Sequence, residues 1–219
     1  MRKQPNKFEW MKRCEETAVL LLEGSDDCHI IKEFCQKNEI KLNFDFCNCG
    51  SDNQVLSQLN ALLKKSEKPD ILGVILDADK DVNARYQNIK SKAKDKNFYQ
   101  NLPDSMPKTG LIHTESGLPK LGIWIMPNNQ DNGALEEFYL ELATNIDVDF
   151  IDKIIQQAEE KKGITSFKPQ HRNKAMMHTY FAWQDSPSMP LHSAVRKTAL
   201  DNNKDIAKAF KKWLTDLFD

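Results

Sequence analysis

The chain has almost no net charge: 31 Lys and Arg stand against 32 Asp and Glu, a formal charge of −1 over 219 residues. Without a bulk positive field, a nucleic-acid enzyme of this composition needs a local basic surface, a metal-bridged contact or a basic partner. No apolar stretch approaches the roughly 20 residues of a membrane span. The opening MRKQPNKFEW has no apolar core of signal-peptide length, so no secretory leader is expected. Cysteine is scarce and odd in number. Cys14, Cys28, Cys35, Cys47 and Cys49 are expected as reduced cytosolic thiols, which points to the cytoplasm. Cys47-Asn48-Cys49 lacks the two-residue spacer and second pair of a zinc site. The histidines His29, His113, His171, His178 and His192 form no H-x-x-x-H pair and are read as structural or surface groups. There is no internal repeat and no low-complexity linker.

What the chain does contain is 40% hydrophobic and 29% charged residues, enough to bury a core, arranged as alternating apolar runs and helical stripes. Thr17–Leu22, Ile71–Leu76 and Leu121–Met126 are runs without polar alternation, read as strands buried on both faces and hence parallel. Leu42–Phe46 alternates and reads as a further strand. Between them, helices are predicted over about 26–37 with Ser25 as N-cap, over the stripe Val55 to Leu63 behind a Ser51/Gln54 capping box, and over 82–97. The lysine run Lys90 to Lys96 reads as a solvated face of that third helix. Residues 101–120 read as a loop or small hairpin, and a helix starts at Ala134–Leu140. Past residue 146 only helices are predicted, around 148–158, 172–183 and the stripe Ile206 to Leu217. The expected organisation is a lead-in over 1–16, an α/β core over 17–145, and a helical C-terminal extension over 146–219 packed on the core.

The chemistry-bearing residues sit where buried strands end. Ile71–Leu76 runs into Asp77-Ala78-Asp79, and strand alternation would place both carboxylates on one face. Thr17–Leu22 runs into Glu23-Gly24, with Asp27 four residues on in the first turn of the next helix. Parallel strands bring these acids to one sheet edge, where open α/β folds put their sites. Carboxylates gathered there repel unless a cation lies between them, which suggests a hard divalent ion such as Mg²⁺. Other duties compete for the same residues. Asp26, Asp81 and Glu137 read as helix-terminus acids, and for Glu136 helix capping and metal binding stay open.

A strand ending in E-G-x-x-D at Glu23 to Asp27, with a later strand ending in D-x-D at Asp77 and Asp79, resembles the Toprim domain of topoisomerases, bacterial primases and OLD-family nucleases. The stretch Pro127 to Glu136 (P-N-x-x-x-x-G-x-L-E), with His171-Arg172-Asn173-Lys174-Ala175 and the ending Trp213-Leu214 to Phe218, resembles a small prokaryotic family of stand-alone Toprim-like proteins. The resemblance implies a mainly parallel sheet with helices on both faces and a Mg²⁺ (or Mn²⁺) site. Its metal ligands would be Glu23, Asp27, Asp77, Asp79 and Glu136. Glu23 would also serve as general acid or base, and Lys174 would offset charge on the transition state. The partners it implies are DNA or RNA, a separate ATPase subunit and a homodimer, with no membrane.

The chain carries no Walker A sequence, no topoisomerase transesterification domain and no primase zinc module. A bare metal-dependent nuclease is the leading expectation, as the effector of a two-component defence system with the ATPase on another polypeptide. The alternatives are a non-catalytic module that binds an ATPase or toxin, and a haloacid-dehalogenase-type phosphatase with Asp77 as nucleophile.

Overall fold

In a computed structural model, residues 9–11, 14, 16–94, 98–187 and 189–219 are described. Most of the expected lead-in, and residues 95–97 at the end of the predicted third helix, lie outside them. The fold is α/β, with a five-stranded, mostly parallel sheet flanked by helices. The strands are β1 (Ala18–Leu22), β2 (Asp45–Asn48), β3 (Ile71–Asp77), β4 (Leu111–His113) and β5 (Lys120–Met126), in the spatial order β2-β1-β3-β5-β4. Among the described residues only β4 is antiparallel; it lies in the 101–120 stretch read as a loop or small hairpin and pairs with β5, the strand that follows.

The three uninterrupted apolar runs became the sheet's centre. All five residues of β1 are buried, and it pairs in parallel with β2 on one side and β3 on the other. Its alternate side chains feed two separate cores. Leu20 and Leu22 pack with α1 (Ser25–Lys37), while Val19 and Leu21 pack with α2 (Asp52–Lys64) and α3 (Val82–Ala93). Because β1 lies between β2 and β3, the chain leaves β1 in one direction and later returns on its other side. The carboxyl ends of β1 and β3 therefore flank the topological switch point, where a crevice opens in such sheets.

The α1 face also receives α4 (Leu135–Leu142) and the helices that follow: α5 (Val148–Glu160), α6 (Arg172–Ala182), α7 (Leu191–Lys197) and α8 (Asp205–Phe218). The stripe Ile206, Phe210, Trp213, Leu214 and Leu217 is buried throughout, and Phe210 meets Phe34, Trp124 and Phe138. Gly73 and Gly122 are register partners on β3 and β5, and a Cβ on Gly122 would stand 2.3 Å from Leu217 Cδ2. The two glycines leave space in the sheet that Leu217 fills over Gly122 and shares with Leu20 and Phe218 over Gly73.

Several expectations shift. β2 starts at Asp45 rather than Leu42, because pairing with β1 runs from Val19↔Asp45 to Leu22↔Asn48 and leaves Leu42 exposed. Helix α1 is capped by extended Gly24, without a side-chain cap, rather than by Ser25. The Ser51 cap on Gln54 forms as read. Helix α7 was not anticipated. The expectation of uniformly reduced thiols is corrected: Cys14 and Cys47 form a disulfide, with Cα atoms 5.2 Å apart, while Cys28, Cys35 and Cys49 are free. Sequence spacing could not show this, because the two cysteines lie 33 residues apart and only the fold brings them together. Among the described residues no helix is long and apolar enough to cross a membrane.

Candidate metal centre

Glu23 follows β1 and Asp77 ends β3, so the parallel pairing of those strands brings the two together. The Asp77 backbone N–H donates to Glu23 Oε1 at 3.2 Å. The loop after β5 is then tied onto the loop after β3. Asp79 and Gly133 exchange backbone hydrogen bonds of 2.8 and 2.9 Å. Asn132 accepts from the Val82 N–H at 3.0 Å and donates to the Lys80 carbonyl at 2.7 Å. Gly133 has φ +137°, and a Cβ there would meet the Glu137 carboxylate at 3.0 Å, so glycine is required at this point of the P-N-x-x-x-x-G-x-L-E stretch. This docking aims the N-terminus of α4 at β3, and the Leu135 N–H donates to Asp77 Oδ1 at 3.0 Å. Glu136, the next residue, comes to the same edge. Asp27 reaches it from the first turn of α1, close enough to Gly24 that a Cβ there would lie 3.1 Å from Asp27 Oδ2.

Four carboxyl groups thus converge, and their charges are poorly compensated. Burial pushes Asp27 up to about 7, with Glu23, Glu136 and Asp26 adding repulsion. Asp77 is held well above the usual carboxylate range by burial and by Asp27, Glu23 and Glu136, with only the Leu135 N–H opposing. Glu23 is raised by burial, partly offset by the Asp77 N–H and by Arg85. Lys174 Nζ lies 3.4 Å from Glu136 Oε1. A cleft of about 610 Å³ opens between Asp77, Asp79 and Glu136 on one side and His171, Asn173 and Lys174 on the other.

Asp79 takes a different position from the one strand alternation predicts. The strand ends at Asp77, and Asp79 sits in the left-handed region at φ +54°. Its Oδ2 accepts from Arg85 Nη2 at 2.6 Å, and the same guanidinium binds Asp52 at 2.9 Å. Asp79 lines the cleft, but its carboxylate is shared with a cation the sequence reading overlooked. Arg85 had one available signal. The chain has only five arginines, and Arg85, Arg172 and Arg196 all pair with carboxylates, as their planar fork favours. The helix-terminus readings hold for two acids. Asp81 accepts from the Ala84 N–H to cap α3, and Glu137 accepts from the Ala134 N–H while its other oxygen binds Asn173.

The donor chemistry suits a hard divalent cation: every candidate ligand is a carboxylate oxygen, and Asp77 and Asp27 have raised pKa values that a bound cation would relieve. Among the described residues no group of three His, Cys, Asp or Glu stands ready to hold an ion as arranged.

No curated protein matches the chain. Two solved structures of the C-terminal region of the Xanthomonas campestris pv. campestris OLD protein, one phased with mercury and one with iodine, are similar to it. They share 12% and 10% identity with it at TM-scores of 0.47 and 0.46, each over 94% of this chain and over 98% and 97% of theirs. The family described as "Protein of unknown function (DUF3226)" matches residues 17–219, and the chain belongs to that family.

Proposed function

We propose that this protein is a Toprim-type nuclease that hydrolyses phosphodiester bonds in DNA or RNA with Mg²⁺ or Mn²⁺. The observation that carries the reading is the convergence of Glu23, Asp27, Asp77 and Glu136 at one sheet edge, where burial and mutual repulsion push Asp27 up to about 7 and hold Asp77 well above the usual carboxylate range. Glu23, Asp77 and Asp79 would hold the ion, with Asp27 and Glu136 extending the set. Bound there, it would polarise a phosphoryl oxygen and lower the pKa of a coordinated water.

The chain's own groups divide the remaining work. The Leu135 N–H fixes the Asp77 carboxylate, and Arg85 engages Asp79 Oδ2 and leaves Oδ1 outside that pair. Glu23, with its pKa raised, is suited to take a proton from the attacking water. Lys174, on the cleft wall, offsets negative charge building on the phosphoryl oxygens. A separate ATPase subunit in a two-component defence system is the assembly this reading implies.

The test is cleavage of supercoiled DNA and of single-stranded RNA in Mg²⁺ and in Mn²⁺. Asp77→Asn and Asp79→Ala, each checked for folding by circular dichroism, should lose roughly a hundredfold or more of the rate. Unchanged cleavage by folded Asp77→Asn would refute the assignment. A co-purifying partner with no cleavage in any metal would favour a non-catalytic module instead.

A further inference from the structure

Around the far side of α1 the charge imbalance has the opposite sign. His29, Lys32 and Glu33 lie roughly 140–240° around the helix from Asp27, so they point away from the carboxylate edge. With Trp10 and with His192 and Arg196 of α7 they line a cavity of about 400 Å³. That volume lies in the range of small-ligand sites.

The walls are planar and cationic. His29 stacks on His192 at 4.9 Å and meets Trp10 edge-on at 5.3 Å. Lys32 Nζ lies 3.9 Å from the centroid of the Trp10 ring. Arg196 Nε donates to Glu33 Oε1 at 2.9 Å. Among the described residues, Lys32 and Arg196 line the cavity against one carboxylate, Glu33, which Arg196 already engages. Burial and the Arg196 charge pull Lys32 below its usual range, with Glu33 opposing them. In a chain of net charge −1, this is a local positive site built beside aromatic surface.

We propose that this cavity binds a nucleoside phosphate, with the phosphate between Lys32 and Arg196 and the base against the Trp10 ring. A phosphate supplies the missing negative charge, and a guanidinium presents it a matching fork. When Lys32 turns to the phosphate it uncovers an indole face, on which a base stacks without regard to sequence. The same chemistry is offered by a free nucleotide and by the 5′-phosphorylated end of a strand. The site uses none of the acids of the metal centre.

Calorimetric titration of the full chain in metal-free buffer tests it, with dAMP, inorganic phosphate, a 5′-phosphorylated oligonucleotide and the same oligonucleotide unphosphorylated as probes. The absence of metal keeps the outcome separate from that of the cleavage assay. We expect dAMP to bind at least roughly tenfold tighter than phosphate and to quench tryptophan fluorescence, with the quench lost in Trp10→Phe. Lys32→Gln and Arg196→Ala should each weaken binding about tenfold. Lys32→Gln leaves the Glu33 pair intact and so carries the test if Arg196→Ala unfolds. Binding of the phosphorylated oligonucleotide, but not of its unphosphorylated counterpart, identifies a strand end as the ligand; binding of dAMP alone identifies a free nucleotide. No binding of dAMP at millimolar concentration, equal affinity for dAMP and phosphate, or full affinity in folded Lys32→Gln would overturn the proposal.

Discussion

Asp27 carries one of the largest electrostatic costs in the fold. Burial, with Glu23, Glu136 and Asp26 close by, pushes its carboxyl group up to about 7, far above the usual range. A carboxyl group with a raised folded-state pKa holds its proton more tightly folded than unfolded. Between about pH 4 and pH 7 the folded state therefore binds more protons, and stability falls as pH rises. Above pH 7 the full penalty is present. Asp27→Asn should thus be more stable than the parent at pH 8, by something on the order of 2 kcal/mol, with the gain shrinking toward zero at pH 4. Urea denaturation in chelator across that range measures it, and a gain independent of pH would contradict the electrostatic account. The position of Asp27 in a helical first turn is plain in the sequence. Its burial against three other acids is not, because those acids come from other parts of the chain.

At the level of elements, the paired glycines show how a strand's composition selects the helix above it. Gly73 and Gly122 read in sequence only as interruptions of apolar runs. In the sheet they are neighbours: Leu217 of α8 occupies the space over Gly122 and, with Leu20 and Phe218, the space over Gly73. Gly122→Ala should drive Cβ into Leu217 and cost about 1–3 kcal/mol, as overpacking does. Adding Leu217→Ala should give less destabilisation than the sum of the two single changes, since the clash needs both side chains. Additive effects in thermal melts would mean that this space does not set the position of α8. Element type was largely readable, since the continuous runs became β1, β3 and β5 and the stripe at 206–217 became a buried helix. Boundaries and α7 were less so, because pairing register and neighbouring helices decided them.

For the molecule as a whole, the later helices share one apolar cluster with α1 and the sheet, as Phe210 touching both Phe34 and Trp124 shows. The disulfide from Cys14 to Cys47 adds a covalent tie between the segment before β1 and the edge strand β2, across a sequence separation of 33. Cys14→Ser should lower unfolding free energy by roughly 3–4 kcal/mol if loop-closure entropy dominates. Urea curves with and without reductant test this, and a parent protein indifferent to reductant would exclude a stabilising role for the bridge.

The sequence by itself determined which segments are buried strands and that each of two ends in acid, because continuous apolar runs have few other stable uses in a chain of this composition. It also placed Asp27 and Glu136 in helical first turns. Only the tertiary structure decided that Glu23, Asp27, Asp77 and Glu136 share one edge, because strand order and the docking of the 127–133 loop are relations between distant segments. It also decided that Asp79 bends through a left-handed residue to Arg85 instead of continuing the strand's alternation. The distinction is physical: hydrophobic periodicity is a local property of the chain, while repulsion among carboxylates exists only once folding has placed them side by side.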